Sequence, residues 1–165
     1  MIILGIDPGT ARMGWGAIKI AKSKKQKVKS KDLELLGYGC VVTDKEDGVG
    51  KRLVILRREL KKIIVIHQPE VMVVERLFFG MNARTAISVG QATGVILLTA
   101  NEHKIPIFEY TPGEVKSATA GSGSADKKQV ATMLHILIKI EKKIKHDDEY
   151  DAIAVGITHL AHHRS

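Results

Sequence analysis

The chain has 165 residues, a formal net charge of +8 at pH 7 and one cysteine, Cys40. That length suits a single domain spanning 1–165 and burying about 70% of its unfolded surface; the lone cysteine excludes an internal disulfide and fits a reducing cytoplasm. No apolar run nears the roughly 20 residues of a bilayer span, no signal peptide heads the chain, and a balance this basic points to a polyanion, usually nucleic acid, unless it is simply a lysine-rich surface.

Residues 2–7 read as a buried strand and 13–20 as a second, joined by the tight turn Pro8-Gly9-Thr10. The segment 21–31 is rich in Lys, Ser and Gln and reads as a long solvated hairpin tip. A third strand is expected over 33–43, where Gly37 and Gly39 mark a bulge or a close backbone approach. Residues 50–67 form an amphipathic helix: Leu53, Leu56, Leu60, Ile63, Ile64 and His67 share one face, and Pro69 ends it. A strand over 71–75 follows, then a loop from Arg76 to Asn82 and a helix over about 83–103.

Ile105 to Tyr110 form a short strand near an edge, because Pro106 cannot donate to a ladder. Thr111-Pro112, with Glu114 three residues after the cap, opens a short helix. Gly121 to Ser124 is a loop, 126–139 a helix with Val130, Met133, Leu134 and Leu137 inward, and a basic connection from Lys139 to His146 leads to a last helix over Asp147 to His162. Strands first, then strands alternating with helices, give an α/β domain with a mixed sheet and helices on its faces.

Four acids stand out against this background. Asp7 ends the apolar strand Ile2-Ile3-Leu4-Gly5-Ile6, and Glu75 ends Val71-Met72-Val73-Val74. Buried carboxylates at such places need a metal, a cation or several N–H donors. Asp148 and Asp151 lie three apart and share a helix face in its first turn, where acids also suit the macrodipole. Asp147 and Asp151 share a face as well, so spacing alone does not choose between Asp147 and Asp148. Four such acids would repel one another and raise at least one pKa. Two divalent cations would neutralise them and still attract a phosphate, which is what a two-metal phosphodiester hydrolase requires.

Other features each admit a structural and a functional reading. Seven lysines crowd Lys19 to Lys31: a solvated tip, or an arm on DNA phosphates. Phe78 and Phe79 follow Glu75 in a chain with seven aromatics: core caps, or a wedge and stacking surface for bases, worth about 1–3 kcal/mol per base. Ala83, Ala86, Gly90 and Gly94 put small residues along one helix side: packing on the sheet, or a two-fold dimer contact. His159, His162 and His163 have metal-like helical spacing but read better as a frayed, solvated helix end.

Taken in order, Ile3 through Thr10, Val74-Glu75-Arg76-Leu77-Phe78, Asn82-Ala83 with Gly90-Gln91-Ala92, Tyr110-Thr111-Pro112 with Val115-Lys116, Gly121 through Gln129, and Asp148 with Asp151-Ala152 to Thr158-His159 resemble the RuvC family of four-way (Holliday) junction resolvases. The resemblance implies an RNase H-like α/β fold with a five-stranded mixed sheet flanked by helices. It implies a cytoplasmic homodimer that nicks two strands of a four-way DNA junction symmetrically, in recombination and repair, leaving 5′-phosphate and 3′-hydroxyl ends. Two Mg²⁺ ions per site, or Mn²⁺, would be required. Asp7, Glu75, Asp148 and Asp151 match the family's catalytic, metal-binding acids, which favours Asp148 over Asp147. Lys116, Lys127 and Phe78 match residues that meet DNA. Working partners would be the RuvA and RuvB branch-migration proteins, and a short thymine-containing sequence would be preferred. The Lys19–Lys31 stretch is longer and more basic than the usual connection, and the chain stops at Ser165 without the tail of some members, which bears on outer-arm and partner contacts.

Three other functions compete. The first turn also resembles the phosphate loop of actin-like sugar kinases, but those need a second similar domain. An RNase H-like RNA processor lacks a reason for the Phe pair and the Tyr110–Gln129 block. A passive junction binder would gain nothing from four acids facing phosphates.

Overall fold

The computed structural model describes residues 1–21, 32–76, 83–141 and 143–162, with the side chains of 83 and 84 left out. Among these the elements run β1 (Ile2–Asp7), β2 (Arg12–Ile20), β3 (Leu33–Val42), α1 (Val49–His67), β4 (Val71–Glu75), α2 (Ala83–Glu102), β5 (Ile107–Tyr110), α3 (Pro112–Ala120), α4 (Lys127–Leu137) and α5 (Asp147–His162). The five strands form one sheet in the order β3-β2-β1-β4-β5. β1 pairs antiparallel with β2 and parallel with β4, so the sheet is mixed. β2 and β3 are antiparallel, and β4 and β5 parallel.

Strand alternation divides the core into two faces. Leu4, Ile6, Met13, Ala17, Met72 and Val74 pack with Leu56, Leu60, Ile63 and Ile64 of α1 and with Ala92, Ile96 and Ala100 of α2. Ile3, Ile18, Ile20, Val71 and Val73 point the other way, against Val115 of α3, Val130 and Leu134 of α4 and most of α5. In α5 every residue from Ala152 to Leu160 is buried. A helix apolar on all sides belongs inside a core, and small residues admit this one. A Cβ on Gly156 would stand 3.6 Å from the backbone of Gly5 on β1, and a Cβ on Gly5 would overlap the Ala152 carbonyl.

The cap expected at Thr111 is present. Thr111 and Glu114 form a reciprocal capping box at α3, with Pro112 in its first turn. Asp126 and Gln129 form another at α4, so Asp126 is the cap rather than the first helical residue; the helix stops at Leu137, short of the expected 139, where Ile138 turns extended. β5 is an edge strand, and Pro106 stays outside it, its carbonyl accepting from the Met72 N–H at 2.9 Å. The register of β2 on β3 skips Leu36, between the Ala17–Gly37 and Ile18–Leu35 pairs, so the expected bulge stands there. Met133 and Leu137 are only half-buried.

One expectation is reversed. His159 is not at a solvated helix end; it is 3% exposed. α5 runs beneath the sheet to its last turn, and β5 covers that end. Tyr110 Oη lies 3.2 Å from His159 Nδ1, and the Phe108 ring is 4.5 Å from the imidazole. His162 is exposed and reaches back to the Thr158 carbonyl at 3.0 Å; His163 lies outside the described residues. Most of the Lys19–Lys31 stretch, the Phe78–Phe79 loop and Asn82 also lie outside them.

Candidate active site

The alternation that places Ile3 and Gly5 on the α5 side of β1 continues to Asp7. Val71 and Val73 do the same for Glu75 on β4. The two strands are parallel neighbours with Ile6 opposite Val74, so both acids leave the same end of the sheet on the same face. The first turn of α5 meets them there. It can approach because Gly14 of β2, the partner of Asp7, has no side chain: a Cβ on Gly14 would overlap the Asp148 carbonyl.

Burial and mutual charge act together on the acids. Burial, followed by the charges of Glu75, Asp151 and Asp148, pushes the Asp7 carboxyl from an ordinary 3.8 up to about 8. Burial and then Asp151 push Glu75 from 4.5 to about 7, against the opposing pull of Lys116 and Lys127. Asp151 is raised as well, mainly by burial, with Lys127 opposing. The structure thus brings Asp7 within electrostatic reach of Glu75, Asp151 and Asp148, and Asp151 within reach of Glu75 and Asp148. Asp147, the other candidate by spacing, has a side chain 77% exposed; its charge acts on Asp151 but not on Asp7, on which Asp148 acts.

Cations ring this cluster. Lys127 Nζ, just inside α4, lies 3.7 Å from both Asp147 and Asp151. Lys116 on α3 acts on Glu75 through its charge. Arg12 on β2 lies 3.5 Å from Asp148, a contact that sequence reading missed. The available signal is its place: Arg12 is the only Lys or Arg before Lys19 and stands two residues from Gly14, hence on the same strand face. Phe78 lies outside the described residues.

The turn after Asp7 is anchored independently. The Thr10 and Ser88 hydroxyls are hydrogen-bonded, and Thr43 Oγ1 donates to the Thr10 carbonyl at 2.6 Å. Arg52 Nε in turn donates to Thr43 Oγ1 at 2.9 Å. This chain fixes Asp7 from the α1 and α2 side, while α5 supplies the facing acids.

The donor set fits a hard divalent cation. It offers carboxylate oxygens only, and burial with mutual repulsion holds Asp7 at about 8 and Glu75 at about 7. Among the described residues no three acidic, His or Cys side chains close into a ready coordination shell. An open arrangement of this kind suits a hard cation that would be held partly by carboxylates and partly by water and substrate phosphate.

Comparison with known proteins agrees with this chemistry. A family model described as crossover junction endodeoxyribonuclease RuvC matches residues 3–159. A protein of that name from Petrotoga mobilis is 41% identical over 165 residues, covering 100% of this chain and 96% of the relative. One from Desulfitobacterium hafniense is 44% identical over 159 residues, covering 96% and 92%. Among solved structures, Thermus thermophilus RuvC in complex with a Holliday junction substrate superimposes with a TM-score of 0.88 at 29% identity, covering 99% of this chain and 95% of that one.

Proposed function

The chain belongs to the RuvC family of crossover junction endodeoxyribonucleases, and we propose that Asp7, Glu75, Asp148 and Asp151 are the acids with which it cuts. Its fold is RNase H-like, and its activity is that of a metal-dependent endonuclease that resolves Holliday junctions. The observation that carries the site assignment is the meeting of strand-end acids from β1 and β4 with the first turn of α5, where burial and mutual repulsion hold Asp7 near 8 and Glu75 near 7.

In this reading the four carboxylates would hold two Mg²⁺ ions per site, with Mn²⁺ able to substitute. Bound there, the cations supply activation of the attacking water and neutralisation of the leaving 3′ oxygen. The chain's own groups do the rest. Asp7 and Glu75 give up their protons when the site is loaded, since ligation needs the carboxylate. Asp148 and Asp151 extend from the α5 turn to the same centre. Lys127 and Lys116 turn from the acids to the scissile phosphate, and Phe78 meets bases near the crossover. The products are nicked duplexes with 5′-phosphate and 3′-hydroxyl ends.

The proposal includes a homodimer, so that two sites cut symmetrically. α2 supports it: Ile87 and Leu98 are 64% and 55% exposed, with Gly94 open between them on one face. RuvA and RuvB are the partners that family membership suggests. A single domain over 1–165 in the cytoplasm accords with one continuous sheet and with Cys40 held as a thiol. Among the described residues no helix is long and apolar enough to cross a membrane.

The test is incubation with a synthetic four-way junction and a matched linear duplex, with and without Mg²⁺. Paired nicks confined to the junction and dependent on the ion are expected. Cutting of RNA, ATP hydrolysis or binding without cutting would each assign the site to another function.

A further inference from the structure

β2 presents two residues to the first turn of α5 from the same strand face. Gly14 admits the Asp148 backbone by having no side chain. Arg12, two residues earlier, reaches the Asp148 carboxylate, Nη1 to Oδ2 at 3.5 Å. The Asp148 side chain is 25% exposed and that of Arg12 54%. An exposed pair at that distance adds little to stability, about 0–1 kcal/mol, so folding alone gives slight reason for an arginine here. Its place is better explained by chemistry. Arg12 neutralises an acid of the site, and a divalent cation sharing that carboxylate would repel the guanidinium at short range. The displaced fork would stand at the rim of the centre with its donors unpaired. On the resolvase reading the incoming anion is a DNA phosphate, and a planar guanidinium binds phosphate through two parallel hydrogen bonds.

We propose that Arg12 is a DNA-phosphate contact held in reserve on Asp148 while the site is empty of metal, and released to the junction backbone when a divalent cation takes that carboxylate. The inference rests on the resolvase reading and on Asp148 belonging to the site. It makes Arg12 a third cation, from a third element, beside Lys116 of α3 and Lys127 of α4. Because the same group would compete with metal and then bind substrate, its removal should move the two affinities in opposite directions.

Two measurements test this without relying on turnover. The first is Mn²⁺ binding to the DNA-free protein by calorimetry. Arg12→Gln should bind the ion several-fold more tightly than the parent, because a competitor for Asp148 has gone. The second is junction binding with saturating Mg²⁺ present, in an Asp7→Asn background expected to cut only at a trace rate, across a range of salt. Adding Arg12→Gln should weaken binding about tenfold, and the slope of log affinity against log salt should shrink by about one. Arg12→Lys, which keeps the charge but not the fork, should retain the slope and lose only part of the affinity. An unchanged slope with Arg12→Gln would overturn the phosphate contact. Weaker Mn²⁺ binding would overturn the reserve role, since Arg12 would then be supporting the acids rather than occupying them. Failure of the Asp7→Asn parent to select a junction over a linear duplex would instead count against the resolvase reading itself.

Discussion

Asp7 has the most displaced carboxyl of the site, and its environment has two measurable consequences. Asp7→Asn should lower cleavage by three or more orders of magnitude, equivalent to about 4 kcal/mol of transition-state stabilisation, and leave junction binding intact. Single-turnover cutting and a binding titration on the same junction would check it; cutting near the parent rate would remove Asp7 from the centre. The second concerns pH. In the metal-free fold Asp7 titrates near 8 against 3.8 unfolded, and Glu75 near 7 against 4.5. The folded state therefore binds more protons than the unfolded one between those values. Stability is greatest below about pH 4 for these two groups and is lost as pH rises through 7 to 8. The melting temperature of chelated protein should fall from pH 5 to 8.5, and Asp7→Asn should flatten the fall. Mg²⁺ added at pH 8 should restore it by on the order of 5 °C. A flat profile in the chelated parent would mean the acids are not buried together.

At the scale of elements, the acids of β1 and β4 are legible in the sequence, because an apolar strand ending in a carboxylate is an unusual pattern with few inexpensive explanations. The α5 acids are only half legible. Asp147 and Asp148 both share a face with Asp151, and what separates them is the approach of β2 through Gly14, a long-range contact that no local spacing encodes. His159 misleads for a similar reason: its place near the chain end suggests solvent, but β5 closes over it through Phe108 and Tyr110. Arg12 is an ordinary strand residue until α5 is placed beside it. The dependence on Gly14 can be measured. Gly14→Ala should shift the first turn of α5 and lower cleavage at least tenfold, with a stability loss of about 1–3 kcal/mol. Gly5→Ala, whose overlap falls on Ala152 and Gly156 farther along α5, should cost similar stability while sparing more activity per folded molecule. Denaturant melts and rates normalised to folded protein would separate the two; equal loss of activity would mean that Gly14 acts only through packing.

For the whole molecule, the +8 balance and the helix-borne apolar face carry the predictions. Junction affinity should fall steeply with salt, by a slope near −0.9 for each phosphate neutralised; a flat response would mean that the lysines do not meet DNA. Replacing Ile87 and Leu98 together with Glu should yield a monomer in sedimentation velocity and leave the two nicks kinetically independent, whereas an intact dimer would place the contact elsewhere. The order of elements has a biological corollary. Two of the four proposed acids ride on α5, which follows the other described elements in the chain, and that same helix fills one face of the sheet. A nascent or prematurely terminated chain ending before Asp147 would thus have neither a finished interior nor a complete set of ligands. Competence to sever chromosomal DNA would be withheld until α5 has been made and packed, so copies lacking it would be harmless to the genome.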